Sequence, residues 1–366
     1  MARPHAKYIM ILNDRERMMK TVGLFALIVG HSISCLAQTD PDLQAYLKNQ
    51  IEMSDKQIGA LRDGSPFVKA LATRIPDEIF IFGAVFINEK PEAYVRFSRD
   101  FNRFRTLPGF LSIGEFSSPP RLPDLKGFEF DTDEINSLKS CRTGKCPIQL
   151  SAASMEQVQK SVDWSAPDLR DRANRILQEI IYEYLSAYQR DGNRALGIYN
   201  DKRAPADVAA RVQHLIGYPK AWPQQLPDLH SHLLHYPQGR PADVEVEDAF
   251  YWAKVKFGLK PTLRIVHSVT VRGMEPGNPA FVVAEKQLYA SHYFRSALDL
   301  SFCIPETSDP NRPGFYLIKV MGSEQAGLTG FMGSIIRKIA LIRSTSSLKK
   351  ALTIFKTTIE QDTIRE

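Results

Sequence analysis

The segment LRIVHSVTV, at residues 263–271, decides the fold of this chain, because its apolar and polar positions alternate as in a half-buried β-strand. Three more strand-like segments follow it, at residues 280–284, 289–303 and 314–321. Because consecutive strands with short connections are typical of hairpins, the four segments predict an antiparallel meander. The chain then turns helical, with apolar residues at helical spacing over 331–339 and again over 348–359.

Upstream of the meander, residues 151–258 form a predicted helical region. Its clearest helix covers 168–190, where an apolar stripe ends at the sequence Asp191-Gly192-Asn193. Shorter helices are predicted over 205–216, 227–236 and 246–257, the last of which is rich in aromatic residues. This region separates an N-terminal α+β part, residues 38–150, from the strands and helix of residues 259–366.

The N-terminal part alternates helices and strands. Helices are predicted over 43–61 and 91–104, and strands over 78–87, 109–116 and 127–130. The predicted fold class is therefore α+β, with a curved antiparallel sheet, a long C-terminal amphipathic helix and a helical insertion or subdomain. The pattern leaves open whether this is one domain with an insertion or two domains.

Residues 1–37 have the parts of an export signal. A basic stretch ends at Lys20, an apolar segment covers 22–30, and small and polar residues lead to Ala37. The apolar segment is shorter than the ~20 residues that a membrane-spanning helix needs. We therefore predict a cleaved signal peptide and an exported protein, periplasmic or extracellular. A membrane anchor and lipidation at Cys35 are the alternatives.

The charge distribution bears on the class of partner. The formal net charge is +6, and residues 1–37 carry half of it. Because no dense stripe of Lys and Arg is present, nucleic acid is not predicted as a partner. Basic residues do outnumber acids near the C-terminus, at Arg337, Lys338, Arg343, Lys349, Lys350 and Lys356. An amphipathic helix with this polar face allows peripheral contact with anionic lipid, although a solvated outer face is the simpler interpretation.

The cysteines agree with export. Cys141 and Cys146 flank a polar turn in which Gly144 lets the chain fold back, so we predict a local disulfide. Half of a metal site is the alternative, but no second Cys or His pair lies nearby at ligand spacing. Cys303 lies in an apolar segment and is predicted to be a buried thiol.

Two resemblances follow from these patterns. Residues 141–146, 250–252, 286–294, 314–317 and 327–330 resemble a group of uncharacterised exported bacterial proteins, which implies no function. The order of strand, helix, several strands and a final amphipathic helix is similar to the helix-grip arrangement of START-like lipid-binding proteins. That resemblance implies a curved sheet that wraps the last helix around an apolar cavity. The hundred or so helical residues between the early and late strands depart from the pattern.

Aromatic residues in the segment 289–294 are the first candidates for a ligand site, because rings with a polar tip suit a lipophilic ligand that carries one polar group. We predict that a cavity between the late strands and the last helix is lined by Tyr289, Ser291, His292, Tyr293, Phe294, His267 and Phe355. The alternative is that these side chains simply fill the core.

Histidines are the other candidates. His267 and His292 lie on neighbouring predicted strands and could act as an acid–base pair or as metal ligands, but no third partner is evident. The sequence around Asp228, His230, His232 and His235 lacks zinc-protease spacing and favours adventitious metal binding. We therefore predict no catalytic residue, no metal ligand and no cofactor.

The sequence contains no phosphate loop, dinucleotide fingerprint or nucleophile elbow. Three functions are considered. The first is binding of a lipophilic small molecule or lipid in the predicted cavity. The second is an envelope hydrolase that uses His267 or His292. The third is a protein–protein interaction module, which would expose the apolar stripe of residues 168–190.

Overall fold

The computed structural model describes residues 41–105, 107, 109–221, 226–241, 244–258, 260–273, 279–307 and 312–362. The predicted signal peptide, residues 1–37, lies outside this part of the chain. The described residues belong to a single compact unit.

Ten strands are described, and eight of them form one antiparallel sheet. The strands are β1 (Phe67–Leu71), β2 (Glu78–Ile87), β3 (Phe110–Glu115), β4 (Ile198–Tyr199), β5 (Ala206–Asp207), β6 (Val246–Phe257), β7 (Lys260–Arg272), β8 (Phe281–Ala290), β9 (Phe294–Pro305) and β10 (Phe315–Gln325). The large sheet has the order β1-β2-β10-β9-β8-β7-β6-β3, and β4 pairs with β5 separately.

The described helices lie before β3, between β3 and β6, and after β10. They are α1 (Pro41–Ala45), α2 (Asp55–Arg62), α3 (Pro91–Arg99), α4 (Phe101–Phe104), α5 (Thr132–Leu138), α6 (Ala152–Ser161), α7 (Leu169–Asp191), α8 (Val208–Ile216), α9 (Pro227–His235) and α10 (Gly330–Asp362). A π-helical turn, Tyr46–Gln50, follows α1. No helix of the described part is both long enough and apolar enough to cross a bilayer.

The predicted fold class is confirmed. Strands β7 to β10 form the predicted meander, β6 extends it by a fifth strand, and the long C-terminal helix α10 follows β10 directly. The early strand β2 pairs antiparallel with the last strand β10, so the N-terminal part and the meander share one sheet, which they join near its β1 edge. The sheet is open, with β1 and β3 at its edges.

One face of the sheet, the α10 face, is covered by α10 and α3. Alternate residues of β2, including Ile81 and Val85, pack there with Leu352 of α10. Gly83 of β2 makes room for the helix, because a Cβ at this position would lie 2.7 Å from Leu348 Cδ2. The C-terminal half of α10 is therefore seated closely on β2.

The opposite face, the α7 face, is covered by the helical insertion. The predicted helix at 168–190 is confirmed as α7, and its apolar residues are buried in the main core. Tyr184 of α7 donates a hydrogen bond to the Leu288 carbonyl of β8 at 2.6 Å. Helix α8 reaches the same face through Arg211, which forms an ion pair with Glu324 of β10.

The predicted helix over 246–257 is wrong, because this segment is strand β6. Both faces of the sheet are covered here, so Phe250 is buried in the core of the α7 face and Tyr251 in a second cluster with Val266. A strand that is buried on both faces loses its alternating pattern, which is why the segment resembles a helix.

The predicted strand over 127–130 is also wrong. Phe128 and Phe130 are buried in the core without belonging to a strand. The Phe130 backbone N–H donates to the side chain of Asn174 on α7, at 2.8 Å, in place of a ladder bond. A hydrogen bond to a side chain far away in the sequence can replace strand pairing, and the local sequence pattern does not show this replacement.

Several predicted elements have different boundaries. The predicted strand over 289–303 is divided into β8 and β9 by a turn in which Tyr293 has a φ of 63°. The helix over 91–104 is interrupted at Asp100, whose side chain caps α4. The two predicted C-terminal helices are one continuous helix, α10.

The cysteines have the predicted arrangement. Cys141 and Cys146 are bonded, with their Cα atoms 4.5 Å apart. Cys303 is a free, buried thiol on β9.

Candidate functional site

The seven predicted ligand residues do not share one cavity. His267 and Tyr289 point to the α7 face, where Tyr289 packs against Tyr199. Phe355 lies on the α10 face, against Tyr94 and Phe97 of α3. The sheet itself separates the two groups.

The remaining predicted residues stabilise the β8–β9 turn. Ser291 Oγ accepts a hydrogen bond from the Leu263 backbone N–H at 3.0 Å. His292 is held between Glu134 Oε1, 2.6 Å from Nε2, and the Pro147 carbonyl, 3.0 Å from Nδ1. Tyr293 and Phe294 both pack on Phe257. All four are therefore engaged with other parts of the protein.

A different set of residues is accessible on the α10 face. Each strand from β6 to β10 contributes a partly exposed position to this face, and on β7 to β10 the strand residues on either side of that position are buried. These positions are paired neighbours across the sheet and form a row, here called the half-buried row: Ala249, Ser268, Glu285, Asp299 and Met321.

Two carboxylates lie at the centre of the half-buried row. Glu285 on β8 and Asp299 on β9 are directly paired residues of the antiparallel ladder. Tyr251 Oη donates a hydrogen bond to Glu285 Oε1 at 2.7 Å. Burial raises the pKa of Asp299 to about 6, and the charge of Glu285 adds to the rise, against the opposing effects of Arg264 and Lys319.

Two cations flank these carboxylates, and each donates a hydrogen bond to another residue. Arg264 Nε donates to Gln287 Oε1 at 3.1 Å. Lys319 Nζ donates to Tyr94 Oη at 3.2 Å and also to Ser301. Burial opposes the charge of Lys319, yet Tyr94 and the two carboxylates outweigh it and hold the lysine pKa above its usual range.

Unlike Glu285 and the two cations, Asp299 has no hydrogen-bond partner among the described residues. Among the described residues, its carboxylate takes part in no hydrogen bond and no ion pair, and only longer-range charges act on it. A partly exposed carboxylate with a raised pKa in a covered face is typical of a ligand or catalytic position. The half-buried row can thus accept hydrogen bonds or positive charge from a bound molecule.

A second polar cluster is buried on the α7 face. Asp248 Oδ1 lies 2.7 Å from His232 Nε2 and 2.8 Å from His267 Nε2. Burial lowers the pKa of His267 to about 4, although its hydrogen bond to Asp248 acts in the opposite direction. Burial would raise the pKa of Asp248, but the hydrogen bonds from both imidazoles outweigh this and lower it well below its usual range.

Lys286 lies beside this cluster. Its ammonium donates to Asn193 Oδ1 and to the Leu233 carbonyl, both at 3.0 Å, and lies 5.0 Å from the centre of the Tyr188 ring. Burial lowers the lysine pKa to about 7, with a smaller opposing effect from Asp248.

Sequence reasoning missed the central residues of both clusters. It selected His267 but not Asp248, and it named neither Glu285 nor Asp299. A signal was present for Asp299, which stands alone among apolar neighbours, but Asp248 and Glu285 each lie beside another charged residue. Which acids face each other depends on strand register, which the sequence pattern alone does not determine.

Comparisons with known proteins do not assign a function. No protein-family model, no curated protein and no solved structure matches this chain. The function has to be inferred from the two clusters and from the surface of the molecule.

Proposed function

We propose that this chain binds a lipophilic small molecule or lipid that carries a cationic or hydrogen-bond-donating group, along the half-buried row. The observation that supports this most is the Glu285–Asp299 pair, because a free carboxylate inside a covered sheet face calls for a compensating partner. In this proposal the polar group of the ligand supplies that partner for Asp299.

The surroundings of the row suit an elongated ligand. Neighbouring strands lie about 4.8 Å apart, so five strands give a path of about 19 Å. At one end Met321 pairs with Ile81 of β2, the strand on which α10 is seated. Alongside the row, Lys319 contacts the rings of Tyr94 and Phe355. The proposed site is on the sheet face that α3 and α10 cover, with α3 over β8 and β9 and α10 beyond the β10 end of the row.

The experiment compares two amphiphiles of equal chain length and opposite charge. Dodecylamine and dodecanoate, each below its micelle concentration, are titrated into the full-length chain in a calorimeter. We expect saturable binding of the amine and at least about tenfold weaker binding of the acid, since unpaired buried charges are costly. Native mass spectrometry of the gently purified protein should also show a bound lipophilic molecule.

Variants locate the binding. Asp299→Asn and Glu285→Gln should each weaken amine binding, whereas Glu115→Gln removes an exposed carboxylate at the end of β3 and should leave it unchanged. Equal binding of the two amphiphiles, or equal loss in all three variants, would contradict the proposal.

A second candidate function, peripheral contact with an anionic membrane, is favoured by the N-terminal half of α10. Six large apolar side chains of this half are exposed, among them Phe331 at 83%: Phe331, Met332, Ile335, Ile336, Ile339 and Ile342. Between Glu324 and Glu360 the sequence contains six basic residues and no acidic one. An apolar stripe flanked by positive charge matches the chemistry of an anionic lipid surface.

Vesicle sedimentation tests this candidate. The full-length chain should sediment with vesicles of phosphatidylglycerol and much less with vesicles of phosphatidylcholine. Ile335→Ser combined with Ile339→Ser should reduce binding to both, and Lys338→Gln combined with Arg343→Gln should reduce only the preference for anionic lipid. A concentration-dependent dimer that the serine variant abolishes, with no vesicle binding, would instead identify a second copy of the chain as the occupant.

The other two functions have less support from the geometry. Both ring nitrogens of His267 and of His292 are engaged within the protein, so neither imidazole presents a free nitrogen to a substrate. The apolar stripe of α7, which an interaction module would expose, is buried in the core.

A further inference from the structure

Three separate elements bring nitrogen and oxygen atoms to one point on the α7 face. His232 comes from α9, Asp248 from β6 and His267 from β7. One ligand atom of each residue lies within 4.8 Å of the others, with Asp248 Oδ1 2.7 and 2.8 Å from the two Nε2 atoms. The pairing of β6 with β7 brings Asp248 and His267 together, and the position of α9 adds His232.

The surroundings hold His267 in a fixed orientation. Tyr188 Oη lies 3.0 Å from its Nδ1, and the ring of Phe250 stacks on the imidazole at 4.5 Å between centroids. Lys286 donates to Asn193 and to the Leu233 carbonyl, so its amine is turned toward other partners. A hydrogen bond at the distal nitrogen of a histidine is the usual support for a metal-ligating imidazole.

We infer that His232 Nε2, Asp248 Oδ1 and His267 Nε2 form a binding site for a divalent transition-metal ion of the Zn²⁺ class. Two imidazoles and one carboxylate suit Zn²⁺ or Co²⁺, whereas Mg²⁺ and Ca²⁺ prefer ligand sets made of oxygen. The imidazole side chains are 1% and 0% exposed but that of Asp248 is 12% exposed, so a fourth position would lie on the Asp248 side, where Arg240 Nη1 is 3.4 Å from Asp248 Oδ2.

On metal binding the proton of each imidazole moves from Nε2 to Nδ1. His232 Nδ1 is buried without a hydrogen-bond partner among the described residues, so only His267 has a group that supports this change of tautomer. Without a metal, both Nε2 atoms donate to Asp248 Oδ1, and His267 Nδ1 accepts from the Tyr188 hydroxyl. With a metal, each Nε2 lone pair is the ligand and the proton resides on Nδ1, so that His267 Nδ1–H donates to Tyr188 Oη. The same 3.0 Å contact therefore serves both tautomers.

Cobalt spectroscopy tests the site directly. The full-length chain, without an affinity tag and freed of metal by a chelator, is titrated with Co²⁺ alone. We expect saturation at one ion per chain, with the intense visible absorption of a four- or five-coordinate ion, and displacement by Zn²⁺. An unsaturable response, or the weak spectrum of an octahedral hydrated ion, would overturn the inference without any variant.

Three variants locate the ion. Asp248→Asn and His267→Gln should each weaken Co²⁺ binding by at least about tenfold, with circular dichroism used to confirm that the variants fold. His235→Gln alters an exposed histidine of the same helix, α9, and should bind as the parent chain does. Loss of binding only in His235→Gln, or in none of the three, would show that the ion sits elsewhere.

If a variant fails to fold, the thermal unfolding midpoint of the parent chain provides a second measurement. A ligand that binds the native state stabilises it by mass action. The midpoint of the parent chain should rise with Zn²⁺ and not with Mg²⁺ at the same concentration. An equal response to both ions would contradict a site with two imidazole ligands.

Discussion

Glu285 and Asp299 are directly opposite each other on β8 and β9, with both carboxylates on the α10 face. Like charges at directly paired positions are unfavourable in an antiparallel sheet. Arg264 and Lys319 reduce the repulsion, but burial and Glu285 still raise the pKa of Asp299 to about 6. Residues that lower stability in this way tend to mark functional positions.

Asp299 should make the stability of the protein depend on pH in a defined direction. Its pKa is raised from 3.8 to about 6, so the native state binds more protons than the unfolded state between these values. The free energy of unfolding should therefore fall as the pH rises from 4 to 7. At pH 7 the penalty should be about 3 kcal/mol or less, and below pH 3.8 it should be absent.

The measurement is urea unfolding of the parent chain and of Asp299→Asn at pH 4 and pH 7. The substitution should be more stabilising at pH 7, by about 1–3 kcal/mol. Glu115→Gln, at an exposed carboxylate, should show no such difference. A parent chain whose stability rises from pH 4 to pH 7 relative to the Asn variant would show that the sign is wrong.

Gly83 should be intolerant of a side chain. A Cβ there would lie 2.7 Å from Leu348 Cδ2 and 2.9 Å from Leu352 Cδ1, so Gly83→Ala must displace α10 from β2. We expect a loss of about 1–3 kcal/mol in the free energy of unfolding.

Gly59 is the matched control. It lies in α2 with nothing within 4 Å of the added Cβ, and alanine favours helix, so Gly59→Ala should stabilise the protein by up to about 1 kcal/mol. Denaturant unfolding of both variants checks the pair. A neutral Gly83→Ala would mean that α10 is not seated as described.

His292 should be a structural residue. Its ring bridges Glu134 of α5 and the Pro147 carbonyl, and both side chains of the His292–Glu134 pair are 6% exposed. His292→Gln leaves the buried carboxylate without its partner and should cost about 3–5 kcal/mol.

Thermal unfolding compared with His235→Gln, at an exposed histidine, checks this expectation. The control should change stability by less than about 0.5 kcal/mol. If His292→Gln is as stable as the control, the imidazole is free for chemistry and the hydrolase hypothesis regains support.

The two halves of α10 should respond differently to truncation. Leu352 is fully buried against the sheet, so Leu352→Ala should cost about 2–5 kcal/mol. Ile339 is 45% exposed, and Ile339→Ala should cost less than about 1 kcal/mol. Equal costs in urea unfolding would indicate that the N-terminal half of α10 is packed in solution, which would remove the proposed membrane surface.

Much of the fold could be predicted from local pattern. The strand at 263–271 lies within β7, and the helix at 168–190 matches α7 within one residue at each end. The α7 helix has one exposed face, and β7 carries the half-buried Arg264 and Ser268 on one face and buried residues on the other, so the periodicity of both is visible. The edge strand β1 was not predicted, because its short segment is only partly buried and shows no clear alternation.

The candidate sites could be predicted only in part. His267 was identified as a histidine within a strand, but its partners come from α9 and β6, and β6 was wrongly predicted to be a helix. The proposed metal site thus depends on strand β6, which the sequence pattern did not predict. The predicted ligand residue Phe355 is on the other side of the sheet from His267, a separation that depends on which face α10 covers.

The sequence by itself determined the fold class, the meander, the long last helix and the Cys141–Cys146 bridge, because periodicity and short-range turns record them locally. The tertiary structure decided which side chains meet. Strand register placed Glu285 opposite Asp299, and the packing of α9 brought His232 to Asp248 and His267. Contacts between residues far apart in the chain arise from register and packing, which a local pattern does not encode.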